Sequence, residues 1–193
     1  MARAYTLKRR AENQAATRQK IVEAAVDLHT TVGPASTTVS MIAEKAGVQR
    51  HTFYAHFPDE RSLFLACSGH AAARDPMPKA EAWGAVADPR ERIRVGLREL
   101  YDWYGRNAAL TGSVLRDAEH HPIVREMVAL RRGRVIDVYR EVLGAGLGSD
   151  AVRLLEVALS FYTWRSLVAE GGLAGEAAAD LMARAITCRG LAG

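Results

Sequence analysis

Residues 37–63 read TTVSMIAEKAGVQRHTFYAHFPDERSL, and this stretch decides the fold. Val39, Ile42, Ala43 and Ala46 stand at i, i+3, i+4 and i+7, which puts them on one face of a helix. Thr37 or Thr38 can cap its start, a hydroxyl accepting one of the N–H groups that a first turn leaves unpaired. Gly47 ends it, because a residue without Cβ enters the left-handed region at little cost. Val48 anchors the turn, and Phe53 and Phe57 give a second short helix a narrow apolar side. The rest of that helix is polar or half-polar: Gln49, Arg50, His51, Thr52, Tyr54 and His56.

A helix this short is marginal alone, so packing on its neighbours must hold it. It nevertheless commits few residues to packing and offers several side chains that donate or accept hydrogen bonds. Helix, glycine turn and a second helix with a polar outer face is the helix-turn-helix pattern, whose second member lies in the DNA major groove. A plain amphipathic hairpin with a solvated face is the competing reading.

The run also resembles the amino-terminal domain of the TetR family of transcriptional regulators. Thr38, Ile42, Ala43, Ala46, Gly47, Val48, Thr52, Phe53, Tyr54, His56, Phe57 and Leu63 carry the likeness at fixed spacing. It is strong over residues 18–66 and much weaker beyond. The resemblance implies an all-α chain: an amino-terminal three-helix helix-turn-helix DNA-binding domain followed by a helical ligand-binding and dimerisation domain. It implies that Thr38 binds a phosphate through its hydroxyl and backbone N–H, and that Tyr54 and His56 contact phosphates. Thr52 becomes a phosphate or thymine-methyl contact. Gln49, Arg50 and His51 are candidates for base edges, since glutamine grips adenine and arginine guanine bidentately. Two departures stand out. His51 occupies a place where a small residue is common, and Glu60 stands where a phosphate-binding lysine is usual, leaving Arg61 as its candidate replacement.

Charge follows the same division. Net charge is +4, from 26 basic and 22 acidic residues. Residues 1–74 hold 10 basic and 6 acidic, whereas residues 75–193 balance at 16 and 16. The whole excess therefore lies with the helix-turn-helix, as expected of a polyanion-binding module on a neutral partner domain. Arg3, Lys8, Arg9, Arg10, Arg18 and Lys20 make the first twenty residues strongly basic. Residues 1–17 read as a loosely ordered arm, either a solubilising tail or a segment reaching phosphates or the minor groove.

Along the chain, Ile21, Ala25, Leu28 and Val32 mark a supporting helix from Thr17 that Gly33-Pro34 ends. His29 in its last turn reads as a partly buried or dipole-complementing histidine. Asp59 is the expected N-cap of a helix running to about Arg74, which completes a domain over 18–74. Asp75-Pro76-Met77-Pro78 is the expected boundary, opening a helical domain over 75–193. There the spacing predicts helices from Asp88-Pro89 to about Asn107, over about 109–119, and over Pro122–Leu143, with Gly144, Gly146 and Gly148 as a break. Residues 150–169 leave almost no polar face, and residues 175–189 carry small side chains that permit close approach. Residues 150–189 are therefore the expected homodimer interface, and the resemblance implies a four-helix arrangement there.

Trp103, Tyr104, His120, His121, Tyr139 and Phe161 are the candidate lining of a cavity for a small, largely apolar effector, although aromatic residues fill ordinary cores as well. Adjacent His120 and His121 point differently along a regular backbone, so no shared metal and no cofactor is expected. Cys67 and Cys188 lack any CxxC or Cys/His spacing and read as buried thiols in a reducing cytoplasm. No uncharged apolar run reaches membrane-spanning length. No GxSxG, HExxH or phosphate-loop motif is present, so an enzyme is not expected. The expectation is a cytoplasmic homodimeric repressor, released from a palindromic operator by its effector. The alternatives are a helical protein-interaction module, or a regulator without small-molecule control.

Overall fold

Ile21, Val22, Ala25 and Val26 are buried and form the inward stripe of the first helix, α1 (Ala2–Thr31). The computed structural model describes residues 2–190, with side chains over 8–188. The arm expected to be loosely ordered over residues 1–17 is instead helical from Ala2. No glycine or proline precedes Gly33, so once the buried stripe holds the helix nothing stops it propagating backward. Met1 and the side chain of Arg3 lie outside the described residues.

After α1 come α2 (Val39–Ala46), α3 (Arg50–His56) and α4 (Glu60–Arg74). The Thr38 hydroxyl accepts from the Met41 N–H at 3.3 Å, and the Asp59 carboxylate accepts from the Ser62 N–H at 2.7 Å, so both expected caps form. Gly47 takes φ +66°, and the Val48 N–H closes back on the Ala43 carbonyl at 2.9 Å. An added Cβ at Gly47 would meet nothing within 4 Å. Gly47→Ala should therefore cost only the left-handed backbone, about 1–2 kcal/mol, read as a lowered urea midpoint at unchanged slope.

Phe53, Phe57, Leu63, Phe64 and Cys67 close this core over α1 and α2, with the Arg18 guanidinium 4.7 Å above the Phe57 ring. Burial pushes the Cys67 thiol up to about 12. Cys188, expected to be buried, is exposed on α12 (Gly175–Gly190).

The chain divides into two units, the first comprising Met1–Pro76 and Gly112–Val128. The expected boundary at residues 75–78 is present, but a second segment also joins the amino-terminal core. It contains the end of α7 (Ala108–Ala118) and α8 (Pro122–Val128). Ala118, Val124 and Met127 pack on Phe64. The buried Asp117 carboxylate accepts from the Ala35 N–H at 2.8 Å, tying this segment to the turn between α1 and α2. Sequence spacing is local, and these contacts are not.

His29 belongs to the same core. It is 4 % exposed, its ring lies 5.3 Å from that of Phe64, and its Nε2 makes no hydrogen bond among the described residues. Burial lowers its pKa to about 4, against a smaller upward pull from Asp117. The neutral form is thus the native one, and the unfolded chain takes a proton first as pH falls from the ordinary value of 6.5. This contribution is complete above that value and declines towards pH 4. Stability at pH 5 should be lower than at pH 7.5 by about 2 kcal/mol from this residue, and urea unfolding of His29→Leu should lack that increment.

The second unit comprises Met77–Thr111 and Ala129–Gly193. Its helices are α5 (Glu81–Gly84), α6 (Pro89–Arg106), α9 (Arg134–Gly144), α10 (Ser149–Ala158), α11 (Phe161–Trp164) and α12, with π-helical turns at Ala129–Gly133 and Arg165–Glu170. The expected continuous helix over Pro122–Leu143 is thus interrupted by the first π turn. Asp88 and Pro89 open α6 as expected, the carboxylate accepting from the Arg90 N–H at 3.1 Å. Ala178, Ala179 and Ala183 on α12 are buried, and α12 packs on α6 and α10 of the same chain. The small residues expected at a subunit interface therefore serve internal packing first. Arg98 on α6 clamps Asp180 on α12 through two bonds of 3.0 and 2.9 Å.

Residues 150–169 do not form one helix buried all round. The helix breaks between Ala158 and Phe161, and Val152, Val157 and Tyr162 are exposed. The break is satisfied from outside. Tyr101 donates to the Ala158 carbonyl at 3.0 Å and Tyr104 to the Leu159 carbonyl at 2.7 Å. Ser160 restarts the chain by capping the Tyr162 N–H at 3.2 Å. Two buried tyrosines thus replace the helical donors that these carbonyls lose.

Candidate nucleic-acid interface and effector core

Seven residues of α3 expose nearly everything except Phe53, which is buried beside Phe57. Gln49, Arg50, His51 and Tyr54 are exposed, and Thr52 and His56 are half-buried. The Tyr54 ring meets Phe53 edge-on at 5.5 Å, which braces it while leaving the residue 48 % exposed. Among the described residues Gln49 and Arg50 spend no side-chain hydrogen bond on the protein, so their donors remain available. Thr52 Oγ1 and His51 Nε2 lie 3.3 Å apart and orient one another. Thr38 sits exposed at the start of α2, its hydroxyl accepting from Met41 and retaining its proton for a further partner. The core thus presents a short helix with a polar outer surface, on which Gln49 and Arg50 are unspent among the described residues.

Arg61 departs from expectation. Its Nε and Nη2 grip the Glu126 carboxylate of α8, the closest bond being 2.5 Å, and this pairing holds the guanidinium above its usual pKa. Glu60 next to it lies 3.2 Å from His121 Nε2. Both residues therefore engage the Gly112–Val128 segment. Arg61 is thus paired with Glu126 in this structure, and a phosphate contact would compete with that pair.

Residues 21–67 match the family described as bacterial regulatory proteins, tetR family. This match covers about a quarter of the chain, and over it the helix-turn-helix segment is similar to the amino-terminal domain of the TetR family. Solved structures agree on the fold. A TetR-like transcriptional regulator from Rhodococcus sp. RHA1 is 24 % identical with a TM-score of 0.65, over 89 % of this chain and 94 % of that one. The TetR-family transcriptional regulator PfmR from Thermus thermophilus is 22 % identical with a TM-score of 0.62, over 86 % and 96 %. The fatty acid degradation regulator FadR from Bacillus halodurans is 16 % identical with a TM-score of 0.62, over 88 % and 94 %. No curated protein matches the chain at a significant level. Among the described residues, no helix is long and apolar enough to cross a membrane.

The second unit brings some of the expected effector residues together. Trp103 and Tyr104 rings lie 5.8 Å apart, and Tyr104 and Phe161 5.4 Å apart. Trp164, which sequence reasoning did not select, joins them at 5.3 Å from Phe161. Tyr139 lies tilted against Trp83 at 4.6 Å and donates to the Pro78 carbonyl. Burial pushes the phenols of Tyr101, Tyr104 and Tyr139 up, so they act as neutral hydroxyls.

His120 and His121 do not belong to this cluster. Both lie in the first unit, His120 exposed and His121 at 5.8 Å from the Phe64 ring. Their proximity to the aromatic residues in sequence was misleading, because the chain re-enters the amino-terminal core at Gly112. Arg132 was also missed. It lies in the run RRGR, which reads as a solvated charge cluster, yet its Nη2 donates to the Tyr104 hydroxyl at 3.0 Å.

Proposed function

We propose that this chain is a homodimeric, ligand-responsive repressor that binds a near-palindromic operator through α3 and releases it when a small effector occupies the second unit. The observation that carries the reading is α3 itself: a seven-residue helix anchored by Phe53, with Arg50, His51 and Tyr54 exposed. Gln49, Arg50 and His51 read base edges; Thr38, Thr52, Tyr54 and His56 hold the backbone.

Recognition by one such helix is weak, since each wrong base pair costs only about 1–3 kcal/mol. Two copies roughly double that discrimination and must enter successive major-groove faces about 34–36 Å apart. Residues 150–189 supply the pairing surface in this reading, and the apolar side chains left exposed there, Val152, Val157, Tyr162 and Leu181, support it. An effector held among Trp103, Tyr104, Tyr139 and Phe161 then disfavours the DNA-competent spacing by about 1–3 kcal/mol of coupling. Linkage requires operator DNA to weaken effector binding by the same factor. The protein acts in the cytoplasm and turns over no substrate.

A gel shift with the DNA flanking its own gene tests the reading. A discrete complex that survives competition by random duplex at physiological salt is expected; retardation that random duplex abolishes contradicts it.

A further inference from the structure

Among the described residues, no carboxylate is paired with Arg132, whose guanidinium is given to the Tyr104 hydroxyl. Arg132 is half-buried in the π-helical turn Ala129–Gly133, with its guanidinium carbon 5.4 Å from the centre of the Tyr104 ring and 5.8 Å from that of Trp103. Four other arginines of this unit hold carboxylates, and Arg92 is given to the Val86 and Ala145 carbonyls. Arg94 holds Glu91, Arg98 holds Glu176 and Asp180, Arg140 holds Asp137 and Glu156, and Arg165 holds Glu170. Among the described residues Arg132 has no carboxylate partner. Of its five N–H donors, one is given to the Tyr104 hydroxyl.

A partly desolvated guanidinium without a counter-charge is costly, and its fork matches a carboxylate in two parallel bonds. The surroundings select the remainder of a ligand. Trp103, Tyr104, Phe161 and Trp164 form an apolar cluster, so a second charge on the ligand would be left unpaired. The turn that carries Arg132 is a π-helical insertion within a run of α-helix, a feature frequent at functional sites.

We propose that Arg132 is the anchor for the carboxylate of an apolar monocarboxylic acid, which is the effector class of this protein. The proposal rests on the reading of the second unit as an effector domain and narrows it. It also supplies a route for the signal. Tyr104 accepts from Arg132 and donates to the Leu159 carbonyl at the break between α10 and α11. An acid that redirects the Arg132 fork thus alters the hydrogen bond that fills this break, inside the segment proposed to pair subunits.

The test uses the full chain and its own tryptophan fluorescence. Hexanoate, octanoate, decanoate and phenylacetate are titrated, each beside the neutral alcohol of the same skeleton. At least one acid should bind about tenfold to a hundredfold more tightly than its alcohol, as a charge-assisted pair requires. Arg132→Gln should erase that preference and Arg132→Lys should retain part of it, since an ammonium keeps the charge and loses the fork. Circular dichroism checks that each variant is folded; if Arg132→Gln is not, Arg132→Lys decides. Alcohols binding as well as their acids, no acid binding at all, or a wild-type preference persisting in the folded variant would each overturn the proposal. A gel shift of the unliganded wild-type protein keeps the two ideas apart. A specific shift without acid preference removes the carboxylate site alone, whereas loss of the shift removes the regulator reading beneath it.

Discussion

Phe57→Ala is expected to destabilise the first unit by about 3–5 kcal/mol, the largest effect of any single change considered. Phe57 is fully buried at the carboxy-terminal end of α3 and its N–H donates to the Phe53 carbonyl at 2.9 Å, so it both caps the helix and fixes it to the core. Its ring also lies beneath the Arg18 guanidinium of α1. Truncation leaves a cavity that a helix of this length cannot close by shifting, because only Phe53 remains to hold it. Urea unfolding followed by circular dichroism should show the loss. The variant should also fail to shift operator DNA at temperatures where the wild type is folded. A loss under about 1 kcal/mol would mean that α3 is held by something other than its two phenylalanines.

Arg50→Ala should leave stability nearly unchanged and lower affinity for the best operator by about 1–3 kcal/mol, up to roughly a hundredfold. Arg50 is exposed and spends no side-chain bond among the described residues, so little is lost when it is removed. Binding to random duplex should fall much less. Tyr54→Phe removes only a hydroxyl from a ring braced against Phe53, and should weaken specific and random binding alike. Competition gel shifts at two salt concentrations separate these cases. Equal effects of the two substitutions on both DNAs would defeat the division between base readers and backbone contacts.

The amino-terminal hairpin was readable because its determinants are neighbours in sequence. Thr38 caps α2, Gly47 turns left-handed and Asp59 caps α4, each through contacts within a few residues, and the spacing of Phe53 and Phe57 puts both on one side of α3. The opening of α6 by Asp88 and Pro89 was readable for the same reason. What escaped depends on distant partners. Nothing around Gly112–Val128 signals that Asp117 will accept from Ala35, or that Glu126 will capture Arg61. The break at residues 158–160 escaped because its carbonyls are satisfied by Tyr101 and Tyr104 from another helix, which lets an apolar run stop being a helix without a proline or glycine. The candidate effector residues were half readable. Trp103, Tyr104 and Phe161 converge, whereas His120 and His121 lie in the other unit and Arg132 was hidden in a run of charges.

Selection of bound duplexes from a randomised pool, with the mass of the selected complex measured in solution, tests the central claim most directly. The account predicts one enriched near-palindrome whose half-sites are centred about one helical turn apart, bound by an even number of chains. No enrichment over the starting pool, or an enriched asymmetric site bound by a single chain, would contradict it.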